Sequence, residues 1–203
     1  MKLYSHAVAP NAWRVRAFLA EKGADVETVT IEFEKGDTQT DDYLAMNSLG
    51  QVPVLELEDG KALPESIAIC RYLESQFPDP ALFGTSAHGQ AWVEMWNRRM
   101  ELLLMNTVGN IGLHTLPFFA TRVHQIPQFA DAQKEALAQR WAWLDAEISD
   151  GRPFVAGDRF SVADITGMTA LKISDIVELS VPDDLAHVKK WEASVRARPS
   201  WDA

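Results

Sequence analysis

The chain has 203 residues, is 47% hydrophobic and carries a net charge of −10, enough for one large domain or two small ones with an ample core. Its acidity and lack of any basic block argue against nucleic acid or an anionic membrane as main partner, and no apolar run approaches the roughly 20 residues of a membrane span. The single cysteine, Cys70, excludes an internal disulfide framework and fits a reducing cytosol, so a cytoplasmic location is expected.

The opening "MKLYSHAVAP" lacks the apolar core of a signal peptide. "KLYSH" reads as a short strand. "AWRVRAFLAEKG" places Val15, Phe18 and Leu19 on one helical face and stops at Gly23, a natural residue just past a helix end. "VETVTIEF" alternates, with Val29, Ile31 and Phe33 on one side and Thr28, Thr30 and Glu32 on the other, as a half-buried strand should. A polar segment from Glu34 to Asn47 leaves room for a short helix around "DDYLAM". "QVPVLEL" and "KALP" flank "EDG", a hairpin signal. "ESIAICRYLESQF" then sets Ile67, Ile69, Cys70 and Leu73 at helical spacing and ends at "PDP".

Beyond the stretch "PDPALFGTSAHG" the strand signals fade. "QAWVEMWNRRMELLLMNTVGNIGL" predicts one long helix bent near Gly109 or Gly112. "FADAQKEALAQRWAWLDAEIS", "SVADITGMTALKISDIVEL" and "DDLAHVKKWEASVRARP" predict three more, the middle one apolar on most faces and therefore central. The expected architecture is an α/β half (1–78), a linker (79–86) and an all-α half (87–203). His6, His88, His114, His124 and His187 show no metal-ligand spacing, so no metal is expected.

Two motifs admit a functional reading beside a plain one. Pro53, opening a strand, cannot donate to a sheet ladder. It marks either an edge strand or a cis-proline that turns the backbone of Val52 toward an extended, peptide-like ligand. Glu65 and Ser66 begin a helix, where they either cap it or use its N-terminal N–H groups to hold a carboxylate. Ser66 would add a hydroxyl donor and Glu65 would accept from an adjacent ammonium, the two halves of an α-amino acid head group.

"SHAVAPNAWRVRAFLAEKG", "NSLGQVPVLE", "LPESIAICRYLE" and "PFVAGDRFSVADI" stand in the order and spacing of the cytosolic glutathione transferases, which the chain resembles over nearly its whole length. The resemblance implies a thioredoxin-like N-terminal domain that binds glutathione as co-substrate. It also implies an all-α C-terminal domain supplying the second-substrate pocket, and a homodimer. Val52 would then pair with the cysteinyl backbone of glutathione before cis-Pro53, Glu65 and Ser66 would hold the γ-glutamyl end, and Gln39 or Gln51 would reach toward the glycyl carboxylate or nearby backbone. In "GDRFSVAD", Ser161 and Asp164 resemble the family's capping box with Phe160 as staple, a structural motif.

In that family the residue activating the glutathione thiol lies at the first strand-to-helix turn, as a serine or a cysteine in many classes. Here the position holds Ala9, with Ser5 and Tyr4 as more distant alternatives. Moving a thiol by about two pKa units takes about 2.7 kcal/mol. A helix N-terminus supplies about 0.3–2 kcal/mol and a hydrogen bond to a charged acceptor about 1.5–3, so a thiolate can be held without a hydroxyl. "APNAWRV" resembles the turn of nu-class enzymes and of an Asn-bearing, prion-forming relative, associated with glutathione-dependent disulfide reduction and sometimes weak conjugation. That resemblance assigns Asn11 the thiol-directed role, with Ala9 beside it. The expected activity is conjugation or disulfide reduction of an electrophilic or disulfide substrate; the alternative is a non-catalytic ligand-binding or regulatory protein. Cys70 reads as core. Arg71, Glu94, Arg98 and Arg99 read equally as dimer interface or solvated charge, Trp92 and Trp96 as helix packing, and His114, Phe118 and Phe119 as pocket candidates.

Overall fold

Four short strands make one mixed sheet in the computed structural model, which describes residues 1–203. They are β1 (Lys2–Ser5), β2 (Glu27–Thr30), β3 (Val54–Glu56) and β4 (Ala62–Pro64), in spatial order β2-β1-β3-β4. β1 and β2 run parallel, with Leu3 opposite Thr28, and their connection carries α1 (Pro10–Lys22), the crossover a parallel pair needs. β1–β3 and β3–β4 are antiparallel, with Leu55 opposite Leu3 and Leu63. A short α2 (Asp41–Met46) precedes β3, and α3 (Ser66–Gln76) follows β4 and packs on α1. Leu3, Val15, Phe18, Leu55, Ile69 and Leu73 are fully buried between sheet and helices. This is a thioredoxin-like βαβ–ββα unit.

Its ends are fixed by particular residues. Gly23 takes the left-handed conformation (φ 58°) that closes α1. Lys22, buried in the last turn, donates to the Pro80 carbonyl (2.5 Å) and pairs with Glu74 of α3 (2.5 Å), joining the two helix ends. The expected second strand is cut short. β1 ends at Ser5 opposite Thr30, so Ile31 turns into a small core with Tyr43 and Val54. Phe33 starts a 3-10 turn (Phe33–Lys35), and Asp37 accepts from the Glu32 N–H (2.8 Å), drawing the chain out of the ladder.

The chain divides into this unit, Met1–Leu82 with Asp202–Ala203, and a second, Phe83–Trp201. The second is helical: α4 (Ala87–Arg99), a π-helical turn (Met100–Met105), α5 (Asn106–Thr115), α6 (Pro127–Glu147), α7 (Val162–Ile176) and α8 (Ala186–Arg196). α7 is its centre, buried without a break from Val162 to Leu171. The expected long helix is irregular at the π turn and not at Gly109 or Gly112. The wider turn is braced at the Leu103 carbonyl, which accepts from Thr107 Oγ1 (2.7 Å) and from Arg140 (2.6 Å). Trp96 is buried, while the half-exposed Trp92 donates its indole N–H to the Ala156 carbonyl (2.9 Å), so both serve packing. No helix is long and apolar enough to cross a membrane.

The capping box forms as expected, with Asp164 Oδ2 accepting from the Ser161 N–H (3.0 Å). Asp164 also accepts from the Val155 N–H (2.9 Å) and the Trp191 indole (3.0 Å). Burial nevertheless pushes its pKa up to about 6. Phe160 lies edge-on to Phe154 (5.5 Å between ring centres) with the Arg198 guanidinium 3.8 Å over its face, tying the capping loop to the segment before it.

Candidate functional site

At the start of α1, Ala9 is the cap residue (φ −73°, ψ 119°) and brings no side chain to the first-turn N–H groups. The loop that carries it is held from one side by Arg16. Its guanidinium donates to Ser5 Oγ (2.7 Å) and to the carbonyls of His6 (3.0 Å) and Ala7 (2.7 Å). Burial lowers the Arg16 pKa, but an arginine stays charged throughout the ordinary range. His6 stacks on Phe33 (4.1 Å between ring centres) and accepts from the Val8 N–H (3.3 Å). Both alternatives to Ala9 are engaged elsewhere. Ser5 is bonded to Arg16, and Tyr4 donates to Glu56 (2.8 Å), a bond that raises its pKa.

The start of α3 meets the start of α1. Glu65, exposed, has φ 71° and ψ 110°, a conformation that side-chain-bearing residues rarely adopt, and offers no side-chain cap to α3. Ser66 is buried beside it. Its hydroxyl lies 3.3 Å from Arg14 Nη1 and 3.5 Å from Asn11 Oδ1. Arg14 can only donate, so Ser66 Oγ accepts from it and directs its own proton to Asn11. With Oδ1 accepting, the Nδ2 amide is the donating end of Asn11. A one-way chain of donors therefore runs Arg14 → Ser66 → Asn11. Arg14 is completely buried. Its charge also reaches Cys70 one turn along α3, but burial dominates there and pushes that thiol up to about 12. Cys70 is core.

The third part is the approach to β3. Tyr43 Oη (3.0 Å) and Asn47 Nδ2 (2.8 Å) both donate to the Gln51 carbonyl, and Asn47 Oδ1 accepts from the Leu49 N–H (3.1 Å). Burial drives the Tyr43 pKa to about 12, keeping it a neutral donor. Gly50 (φ 59°) is required, because a Cβ there would stand 2.8 Å from Gln39 Nε2 and 3.0 Å from the Thr38 carbonyl. Gln39 itself folds back, its Nε2 donating to Thr38 O and Oγ1 (3.3 Å each). Val52–Pro53 is cis. The strand it opens lies inside the sheet, between β1 and β4, which disposes of the edge-strand reading.

Of the residues expected from sequence, Asn11 and Ser66 are brought into contact, Glu65 adjoins them, and Gln39 and Gln51 flank Gly50. Arg16, Tyr43 and Asn47 were missed as supporting residues, and for Arg14 the sequence suggests a place near the cleft but no clear geometry. Arg14 left a readable signal: it stands one turn before Phe18, on the stripe the apolar residues mark as buried.

The N-terminal domain of glutathione S-transferases matches residues 1–75, and their C-terminal domain matches residues 110–199. The chain is 34% identical to glutathione S-transferase 2 of Saccharomyces cerevisiae, with 98% of this chain and 87% of that one aligned. The chain belongs to the glutathione S-transferase family. Solved relatives agree in fold. A glutathione S-transferase domain-containing protein of Marinobacter aquaeolei superposes with a TM-score of 0.91 at 39% identity, covering 99% of this chain and all of that one. A class Gtt2 glutathione S-transferase of Vibrio parahaemolyticus gives 0.85 at 32%, covering 100% and 96%. This chain thus combines the family's thioredoxin-like domain with its helical one, and glutathione is the co-substrate of that family.

Proposed function

We propose that this transferase holds the glutathione thiolate at the uncapped first turn of α1 and uses it in conjugation or disulfide reduction. The observation that carries the reading is the donor chain ending on Asn11: with Oδ1 accepting from Ser66, this exposed side chain keeps its amide N–H as donor at a helix start where Ala9 makes no side-chain cap bond. Ser66 and the α3 N-terminus would take the γ-glutamyl carboxylate, Glu65 its ammonium, and the Val52 backbone before Pro53 the cysteinyl segment, with Gln39 and Gln51 toward the glycyl end. In conjugation the sulfur lone pair forms a bond to an electrophilic carbon as the leaving group departs with its electrons. In disulfide reduction the same pair attacks one sulfur and expels the other as a thiolate; a second glutathione then resolves the mixed disulfide, so that glutathione disulfide is the oxidised product. The helical unit is assigned the second substrate, and the working form is a cytoplasmic homodimer.

Paired kinetics test this: glutathione conjugation to a chloronitroaromatic and glutathione-driven reduction of a small disulfide, each with Asn11→Ala alongside. The amide's bond to a thiolate is worth about 1.5–3 kcal/mol, so Asn11→Ala should lose about 10- to 100-fold in the dominant activity. Full activity in Asn11→Ala would place thiol activation elsewhere. The second reading, a non-catalytic glutathione-binding protein, rests on the missing hydroxyl or thiol at Ala9; silence in both assays with glutathione still bound would favour it.

A further inference from the structure

We infer that the helical unit carries a phosphate-binding groove between α8 and the turn that follows α6. His187, Lys190, Trp191 and Ser194 stand at i, i+3, i+4 and i+7 on α8 and so share one face. That face and the turn residues Ile148, Gly151, Arg152 and Pro153 enclose a cavity of about 90 Å³, well beyond the roughly 10–15 Å³ that one water needs. The first observation is charge. Arg152, Lys190 and His187 line this one groove of a chain whose net charge is −10, and no acidic residue lines it. The second is unused donor capacity. Arg152 donates from Nη2 to the Glu147 carbonyl (2.6 Å) and its Nη1 lies 3.6 Å from Asp150, but its Nε is buried and has no hydrogen-bond partner. A buried N–H without an acceptor is costly, and an oxyanion supplies acceptors. Lys190 makes no ion pair and the His187 ring no hydrogen bond, whereas the adjacent Lys189 pairs with Asp183 (3.4 Å) and Glu192 (3.3 Å).

The third observation is that the groove is already braced. The Arg152 guanidinium lies 4.7 Å over the Trp96 ring. The Trp191 indole N–H is taken by Asp164 (3.0 Å), so with Ile148 the ring gives the groove an apolar floor. The first N–H groups of α8 are no part of the site, because those of His187 and Val188 donate to Asp145 (2.8 and 2.9 Å). Two cations and an imidazole suit a group that carries about −1.5 to −2 charge and three acceptor oxygens at pH 7, more than a carboxylate brings. The floor adds room for the apolar part of a small phosphate ester. This groove shares no residue with the candidate glutathione site and does not depend on it.

The test uses the full chain and calorimetric titration with phenyl phosphate, inorganic phosphate and benzoate at constant ionic strength. Phenyl phosphate should bind saturably and more tightly than benzoate. It should exceed inorganic phosphate by about 3- to 10-fold through the apolar floor; equal binding of the two supports the site with free phosphate as its occupant. Arg152→Gln should weaken phenyl phosphate about 10- to 100-fold, the range for a hydrogen bond to a charged group. Lys190→Gln, at an exposed side chain, should weaken it about two- to fivefold. Glutathione binding should stay within about twofold in both variants, as independent sites require. Benzoate bound as tightly as phenyl phosphate overturns the phosphate assignment. No saturable binding, binding that both variants leave unchanged, or binding that glutathione displaces overturns the groove itself. If Arg152→Gln does not fold, Lys190→Glu decides: phenyl phosphate weakened further than in Lys190→Gln supports the inference, and unchanged binding overturns it.

Discussion

Glu65 stores backbone strain at the start of α3, and replacing it by glycine should stabilise the protein and, on the proposed head-group assignment, weaken glutathione. Its φ of 71° and ψ of 110° lie where a Cβ is disfavoured, and residues held in such regions cost about 1–3 kcal/mol. Glycine removes that cost but gives the unfolded chain more freedom, worth about 0.5–1 kcal/mol in the other direction. Little else is lost, because the side chain is exposed and makes no cap bond to α3. The net expectation is about 0.5–2 kcal/mol in favour of Glu65→Gly. At about 2–4 °C per kcal/mol for a chain of this size, Tm should rise by about 1–8 °C. Glu65→Ala is the control, since it removes the carboxylate and keeps the strained Cβ; its Tm should stay within about 1 °C of wild type. Thermal unfolding of the three proteins without ligand reads this directly. The signature is glycine above alanine, the reverse of the order in an ordinary helical position. Alanine equal to or above glycine would refute the strain argument. On the proposed assignment of the Glu65 carboxylate to the ammonium, both variants should also bind glutathione more weakly.

Two further expectations concern the helical unit. A Cβ on Gly167 would stand 2.5 Å from Met100 Cε and 2.7 Å from the Trp191 ring, and that ring is tethered to Asp164. Gly167→Ala should therefore lower stability by about 1–3 kcal/mol despite alanine's better helix propensity; a denaturant midpoint at or above wild type would contradict this. Asp164 titrates near 6 in the folded chain against an ordinary 3.8. The native state thus holds the proton more tightly, and the contribution present below about pH 4 is lost as pH rises through about 6, up to about 3 kcal/mol in all. Unfolding free energies from pH 4 to 7 should show the wild type losing ground to Asp164→Asn over that window, and a constant difference would exclude the effect.

The features legible in sequence were those whose cause is local. Gly23 ends α1, the Asp-Gly of the hairpin turns β3 into β4, and Ser161 finds Asp164 three positions on. Pro53 was legible for a negative reason, since a strand opening on a residue without an N–H needs an explanation. The candidate binding residues could be named from motifs, but their arrangement could not. Ser66 and Arg14 meet only because α1 packs on α3, and no period or spacing encodes a hydrogen bond across 52 residues. The truncation of β2 also depends on a partner, because β1 stops first. The π turn escaped notice because Met100 and Leu104 continue the apolar stripe through it, while glycines downstream offered a more familiar cause for an irregular helix.

Arg16 also has a consequence in time. With Ser5 Oγ and the carbonyls of His6 and Ala7 bonded to one guanidinium, the turn before α1, where the thiolate is proposed to sit, is held in place by the chain's own side chains. What must respond there is a hydroxyl rotor on Ser66 and the amide of Asn11, groups that reorient in picoseconds to nanoseconds, and not a loop that closes in microseconds. On the proposed reading, capture of a thiolate at this turn is a re-aiming of protons within standing architecture.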